Sequence, residues 1–119
     1  MITQYEVPGY LERQLPFFTS QPKLAALHMN IYKELQRFTD YTRQAISQHN
    51  YLLVRKCFRL ADKLHAQGDI IVRSAIENIF IFSFSSFMPR DIAKKMILRS
   101  FIPDSLYTLY LKQIGQSGC

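Results

Sequence analysis

Apolar and polar side chains alternate with a helical period through the middle of the chain. Between residues 31 and 48 the apolar positions recur every three or four residues, and at about 100° per residue they fall on one side of a helix. The members of that side are Ile31, Leu35, Phe38, Thr42, Ala45 and Ile46, with Tyr32 at its edge. The opposite side consists of Lys33, Arg37, Asp40, Gln44 and Gln48. The pattern predicts an amphipathic helix that ends at about Gln48, and Pro22 offers an earlier start for it.

The same pattern returns in the next segment and predicts a second helix, Tyr51–Gln67. Its apolar arc consists of Leu53, Val54, Cys57, Phe58, Leu60, Ala61 and Leu64. Gly68 can then adopt the left-handed conformation that often ends a helix. Asp69 can cap the following helix by accepting a hydrogen bond from a backbone amide. Because the turn is so short, the two helices are expected to fold back as an antiparallel hairpin.

The helix that follows Asp69 has the broadest apolar face in the sequence. That face is predicted to contain Ile71, Val72, Ala75, Ile76, Ile79, Phe80 and Phe82. Toward the end of the helix Ile81 and Phe84 make it apolar on every side, and such a helix is usually buried. We therefore expect it to be the central helix. Residues 79–84 are also rich in strand-forming types, so a strand is the alternative there.

Shorter elements flank the hairpin. At the amino end, Thr3 and Glu6 match a capping box, whereas Pro8 favours a helix that runs from Pro8 to Leu15; Pro16 ends either one.

Prolines also mark the elements that follow the hairpin. Pro89 predicts a helix to about Leu98, and Pro103 with Asp104 predicts a last helix to about Gln113. The sequence thus predicts one all-α domain, residues 1–119, built as a bundle of five or six helices around the central antiparallel hairpin. Residues 1–22 form its amino-terminal helix and connection, and residues 115–119 its frayed tail.

The charge balance of the chain indicates which classes of partner it would attract. The chain has 15 basic and 9 acidic residues, a net charge of +6, which favours loose attraction to polyanions. One basic face on the second predicted helix consists of Arg55, Lys56, Arg59 and Lys63; a second basic group consists of Arg90, Lys94, Lys95 and Arg99. Asp62 interrupts the first group and Asp91 lies beside the second. We therefore expect solvated faces, and any nucleic-acid binding to be weak and independent of base sequence.

Residues that usually carry chemistry are few and scattered. His28, His49 and His65 lie on different predicted elements without metal-ligand spacing, so no metal or other cofactor is expected. Cys57 lies on an apolar arc, where a buried, inert thiol is expected. With Cys119 at the end of the chain, the two cysteines form no disulfide framework, which fits the cytoplasm. We expect a protein that is not an enzyme.

No segment of the sequence predicts export or a membrane span. The amino terminus lacks the pattern of a signal peptide. Residues 79–88 are apolar but too few to cross a bilayer, and they include three serines.

Large side chains crowd the last predicted helix. A helical stripe there contains Leu106, Tyr107, Tyr110, Leu111 and Ile114. Leu109 falls off that stripe and is expected to be exposed, which makes Tyr107, Leu109 and Tyr110 the candidate interaction surface. The sequence therefore favours a protein-binding domain, such as an adaptor, a regulator or an antitoxin-like partner, with self-association open. A basic nucleic-acid-binding module is the alternative, and a small helical enzyme is less favoured.

Four segments carry a resemblance to a known family. They are residues 35–42 (LQRFTDYT), 56–62 (KCFRLAD), 68–69 (GD) and 75–78 (AIEN). Together they resemble a family of small bacterial all-helical domains of unknown function, over most of the chain from about residue 28. The resemblance implies an all-helical cytoplasmic domain and supplies no catalytic residues.

Overall fold

In the part of the chain that the structure describes, one long helix lies at the centre and five others pack around it. The structure is a computed structural model that describes residues 1–18 and 30–117. Within them the helices are α1 (Val7–Gln14), α2 (Ile31–Ser47), α3 (Tyr51–Gln67), α4 (Ile70–Phe87), α5 (Ile92–Phe101) and α6 (Asp104–Ser117). The predicted all-α bundle is confirmed. Three residues of the sequence analysis lie outside the described residues: Pro22, the predicted early start of α2, and also His28 and Cys119.

The helices α2 and α3 begin and end almost where the amphipathic pattern placed them. Asn30 caps α2, because its Oδ1 accepts a hydrogen bond from the Tyr32 amide at 2.9 Å. Asn50 caps α3 in the same way and accepts from the Leu53 amide at 3.4 Å. Between the helices His49 has a φ of 57°, the left-handed conformation that reverses the chain.

The turn between α3 and α4 is where predicted and observed conformations differ. Asp69 caps α4 as predicted, since its Oδ1 accepts from the Val72 amide at 3.0 Å. The predicted left-handed conformation of Gly68 is wrong: its φ is −73° and its ψ is 155°. A glycine is needed for space instead, because a Cβ there would lie 2.6 Å from Cγ1 of Val72 and would collide with the carbonyl oxygen of Leu64.

The first residues of the chain close this turn from outside. The Ile2 amide donates to the Gln67 carbonyl at 2.7 Å, and the Asp69 amide donates to the Ile2 carbonyl at 2.9 Å. Ile2 and Gly68 thereby form a single parallel β-bridge. The amino terminus is thus tied to the hairpin by its backbone.

The central helix α4 changes its geometry along its length. It is α-helical over Ile70–Ala75, widens to a π-helix over Ile76–Phe80, tightens to a 3₁₀ turn over Ile81–Ser83 and ends as an α-helical turn, Phe84–Phe87. Residues 79–84 are therefore helical, and the strand alternative is wrong.

The π segment shifts the buried face by one residue, because its hydrogen bonds span five residues rather than four. An uninterrupted α-helix that buries Val72 and Ala75 would bring positions 79, 82, 83 and 86 inside, and two of those are serines. With the extra residue, Phe80, Phe84 and Phe87 are buried instead. The predicted burial of Phe82 and Ile71 is wrong: they are 73% and 44% exposed. Phe82 lies beyond the shift, whereas Ile71 lies in the first turn of α4, beside exposed Ile70.

The buried phenylalanines join three helices into one core. The Phe80 ring stacks on Phe38 of α2 with centroids 5.0 Å apart, and meets Phe58 of α3 edge-to-face at 5.8 Å. Phe84 and Phe87 each lie 5.7 Å from the same ring. Phe80 is thus at the centre of the core, as expected for the central helix.

By length and mean hydropathy, 1.4 over Ile70–Phe87, α4 is long and apolar enough to cross a membrane. Core helices of globular proteins pass the same test, and the buried phenylalanines of α4 pack against α2 and α3.

The amino-terminal helix α1 begins between the two predicted starts. Thr3 does not act as a helix cap, since its hydroxyl donates to the Glu6 carboxylate at 3.2 Å. Val7 and Leu11 are buried on the side that faces the core.

The start predicted for α5 at Pro89 is wrong. Asp91 caps the helix instead, and its Oδ1 accepts from the Ala93 amide at 2.8 Å and from the Lys94 amide at 3.3 Å. A proline cannot supply such a side-chain acceptor, so the helix begins only after the aspartate. The last helix, α6, runs past the predicted end at Gln113 to Ser117.

Candidate functional site

A groove opens between α5, α6 and the last turn of α4. Its volume is about 660 Å³. Most of its lining is apolar or aromatic: Met88, Met96, Tyr107, Tyr110, Leu111 and Ile114. Its polar lining consists of Ser85, Lys95, Arg99 and Ser100. We call this the α5–α6 groove.

The groove exists because α5 buries little of its own apolar surface. Leu98 is the buried residue of this helix. Ile92 and Met96 are 74% and 68% exposed. Across the groove, Leu111 is 51% exposed. The described part of the chain thus leaves an apolar strip of α5 uncovered.

The orientation of α6 decides which of its side chains reach the groove. The Tyr110 ring packs on Phe84 at 5.4 Å, and its hydroxyl is hydrogen-bonded to that of Ser85 at 2.8 Å. Gln113 donates from Nε2 to the Glu77 carbonyl at 2.8 Å. These contacts turn the 106–109–110–113 side of α6 toward α4. The predicted exposure of Leu109 is therefore wrong, since it is half-buried against the core.

The predicted surface of Tyr107, Leu109 and Tyr110 is thus only half-exposed, and all three pack against the core. The exposed apolar side chains of α6 are Leu111 and Ile114, which the sequence placed on the buried stripe. The exposed apolar side chains of the last helix therefore lie on the side that faces α5.

The edge of the α5–α6 groove is positively charged. The Arg99 guanidinium lies 3.6 Å from the centre of the Tyr107 ring, and its Nη2 lies 3.7 Å from Asp104. Lys95 is exposed beside it. None of the residues that line the groove in the described structure is acidic.

A second groove lies between α1 and α3, with a volume of about 410 Å³. It brings together the whole basic face predicted from the sequence: Arg55, Lys56, Arg59 and Lys63. Gln14, Leu52 and Leu60 complete its lining. We call this the α1–α3 groove.

The sequence suggested that Asp62 interrupts this basic face, but in the structure it does not. It is turned toward α6, where its Oδ1 accepts a hydrogen bond from the Ser105 hydroxyl at 2.6 Å. Among the described residues, ion pairs join Arg43 to Asp40 and Arg99 to Asp104, and His65 is hydrogen-bonded to Glu77; none of these contacts involves a cation of the α1–α3 groove.

A third cleft, of about 450 Å³, lies beside the π segment, between α2 and α4. Arg43 is already engaged there: it donates to Asp40 at 2.7 Å and to the Ser86 hydroxyl at 3.0 Å, and lies over the Phe87 ring. Phe82 stands exposed at this cleft. Sequence reasoning missed the cleft, because only the irregular turn of α4 moves Phe82 outward.

The candidate reactive side chains have structural roles. Burial raises the pKa of Cys57 to about 11, and a protonated thiol is a poor nucleophile at neutral pH. This fits the predicted inert cysteine. His65 donates from Nε2 to Glu77 at 2.8 Å and so ties α3 to α4. In the described ranges, no three His, Cys, Asp or Glu side chains are arranged to hold a metal ion.

Comparison with known proteins finds a family but no individual relative. No curated protein and no solved structure matches the chain. The model of one family, described as a domain of unknown function (DUF7674), matches residues 8–116. That match covers all six helices apart from the ends of the first and the last. With its all-helical fold, as the sequence resemblance implied, the chain belongs to the DUF7674 family of domains of unknown function.

Proposed function

We propose that this chain is a non-catalytic protein-binding domain whose α5–α6 groove binds one amphipathic helix of a different protein. The observation that carries the proposal is the uncovered apolar strip of α5, where Met96 is 68% exposed and faces Leu111 and Ile114 across the groove. A helix laid into an apolar groove is a common mode of peptide recognition. An adaptor, a regulator or an antitoxin-like partner would use such a groove.

The chemistry of the lining favours a helix with large apolar side chains. Met88 and Met96 have flexible, polarisable side chains that adapt to different shapes. Tyr107 and Tyr110 combine apolar area with a polar tip, which is typical of protein interfaces.

The charge at the edge favours a partner with acidic residues beside its apolar stripe. Lys95 and Arg99 line the groove, and Lys94 is exposed on the same helix. A second copy of the chain fits poorly, because a twofold contact would bring these cations against their own equivalents. Of the two partners that the sequence left open, we therefore propose a different protein.

Glutamate substitutions at exposed apolar positions test the proposal. Met96→Glu and Leu111→Glu place a negative charge inside the groove, and Ile70→Glu places one outside it, on a residue that is 75% exposed. Each change is expected to alter the free energy of unfolding by less than about 0.5 kcal/mol, because the sites are exposed. The tagged chain and its variants are recovered from native cells, and co-purifying proteins are quantified by mass spectrometry.

We expect one protein to co-purify with the wild-type chain and with Ile70→Glu, and to be lost with both groove variants. The same co-purifying proteins in all four samples would contradict the proposal. Sedimentation of the purified chain gives the second check: we expect a monomer at micromolar concentration, and a dimer abolished by Leu111→Glu would assign the groove to a second copy.

A further inference from the structure

We propose that the α1–α3 groove is a separate binding site for the sugar–phosphate backbone of a nucleic-acid strand, bound without regard to base sequence. It lies on another side of α3 from the contact with α6, and the proposal does not depend on the partner of the α5–α6 groove.

The spacing of the cations fits a ligand with regularly repeated charge. Arg55, Lys56, Arg59 and Lys63 lie on one face of α3 within nine residues of sequence. At about 1.5 Å per residue the face is about 12 Å long. Proteins that hold single strands do so with a positively charged groove that follows the backbone, so a groove of this length fits a few consecutive phosphates.

The surroundings leave these charges available. Asp62, the nearest acid in sequence, is held by Ser105 on another helix. No acidic side chain lines the groove in the described residues. The guanidinium groups of Arg55 and Arg59 can each donate two parallel hydrogen bonds to phosphate oxygens.

The same lining explains why base sequence would not be read. Single-strand binders that hold the bases stack them on exposed aromatic rings. Among the residues that the structure describes, no aromatic side chain lines the groove; the Tyr10 ring, 5.4 Å from the Lys63 ammonium, is half-buried. Leu52, which is 83% exposed, offers apolar contact to sugars but no hydrogen bonds to base edges.

Fluorescence anisotropy with labelled oligo(dT) and oligo(dA) tests the site on the full chain. The groove variant is Arg55→Glu/Arg59→Glu/Lys63→Glu. Its control is Arg90→Glu/Lys94→Glu/Lys95→Glu, which changes the net charge equally at the amino end of α5 and just before it. All six side chains are exposed, and circular dichroism checks that both variants keep their helices.

We expect the groove variant to bind at least about tenfold more weakly than the wild-type chain, with the slope of log K against log salt reduced by about 2. The control should stay within about twofold, and the two oligonucleotides should bind alike. If charge reversal unfolds the chain, the milder Arg55→Gln/Arg59→Gln variant is used, with a smaller loss in the same direction.

Three results would overturn the proposal. Equal losses in the groove variant and the control would mean that net charge alone attracts the oligonucleotide. If poly-L-glutamate displaced the labelled oligonucleotide at the same concentration of negative charge as unlabelled oligonucleotide does, the groove would be assigned to an acidic protein. A large preference for one of the two oligonucleotides would mean that bases are read.

Discussion

Replacing Phe80 by alanine is expected to cost about 3–5 kcal/mol of unfolding free energy, out of about 5–15 kcal/mol for a typical domain. The ring is fully buried and contacts Phe38 and Phe58 on neighbouring helices, as well as Phe84 and Phe87 on its own. Its loss leaves a cavity where α2, α3 and α4 meet, and this tight core cannot easily collapse around it. Urea unfolding followed by circular dichroism measures the effect.

Phe82→Ala is the matched control, because it removes the same side chain only two positions away. Phe82 is 73% exposed, so we expect a change of less than about 0.5 kcal/mol. If Phe82→Ala cost as much as Phe80→Ala, the π segment would not shift the buried face as described.

Gly68→Ala is expected to destabilise the chain by about 1–3 kcal/mol. The backbone angles at Gly68 suit any residue, so the cost comes from overlap rather than from backbone strain. A Cβ would lie 2.8 Å from Cβ of Val72 and would meet the carbonyl oxygen of Leu64, which cannot rotate away. The hairpin turn, and Ile2 bridged to it, would have to move.

Gly115→Ala provides the contrast. Gly115 lies within α6, and apart from its chain neighbours and the backbone of its own helix no heavy atom of the described structure lies within 4 Å of the position that a Cβ would occupy. Alanine forms helices better than glycine by up to about 1 kcal/mol, so this substitution should stabilise the chain. A Gly68→Ala variant that unfolds at the same urea concentration as the wild-type chain would contradict the crowding described for the turn.

The amphipathic pattern predicted the regular helices, because the apolar period and the capping residues of each helix lie within its own segment of the sequence. The bounds of α3 match the prediction at both ends, since a steady apolar arc lies between a break at Asn50 and the Gly68–Asp69 pair. The capping role of Asn50 is visible in the sequence only once the helix start is known. The burial of Glu34 on α2 could not be predicted in this way, because the apolar period gives no signal for a buried acidic residue.

The residues that α4 buries could not be predicted by assuming a constant rotation of about 100° per residue along the helix. The sequence does hold a signal: Phe80, Phe84 and Phe87 are one position out of phase with Val72 and Ala75, and serines stand at the in-phase positions 83 and 86. Burial of three phenylalanines outweighs the poorer hydrogen bonding of a π turn, so the packing of α2 and α3 on α4 decides the register.

The candidate sites likewise depend partly on the sequence pattern of one helix and partly on how the helices pack against one another. The sequence correctly placed Arg55, Lys56, Arg59 and Lys63 on one face, but α1 makes that face a groove and Ser105 draws Asp62 away from it. On α6 the side chains that reach the groove depend on how that helix docks against α4. Neither docking follows from the period of a single helix.

Photocrosslinking in native cells tests the central claim, protein binding in the α5–α6 groove, most directly. A photoreactive amino acid replaces Met96 or Leu111 inside the groove, or Ile70 outside it. We predict crosslinks from positions 96 and 111, but not from 70, to one segment of a different protein, with apolar residues three and four apart and with flanking Asp or Glu. Crosslinks to a second copy of this chain or to nucleic acid, or the same products from all three positions, would contradict the claim.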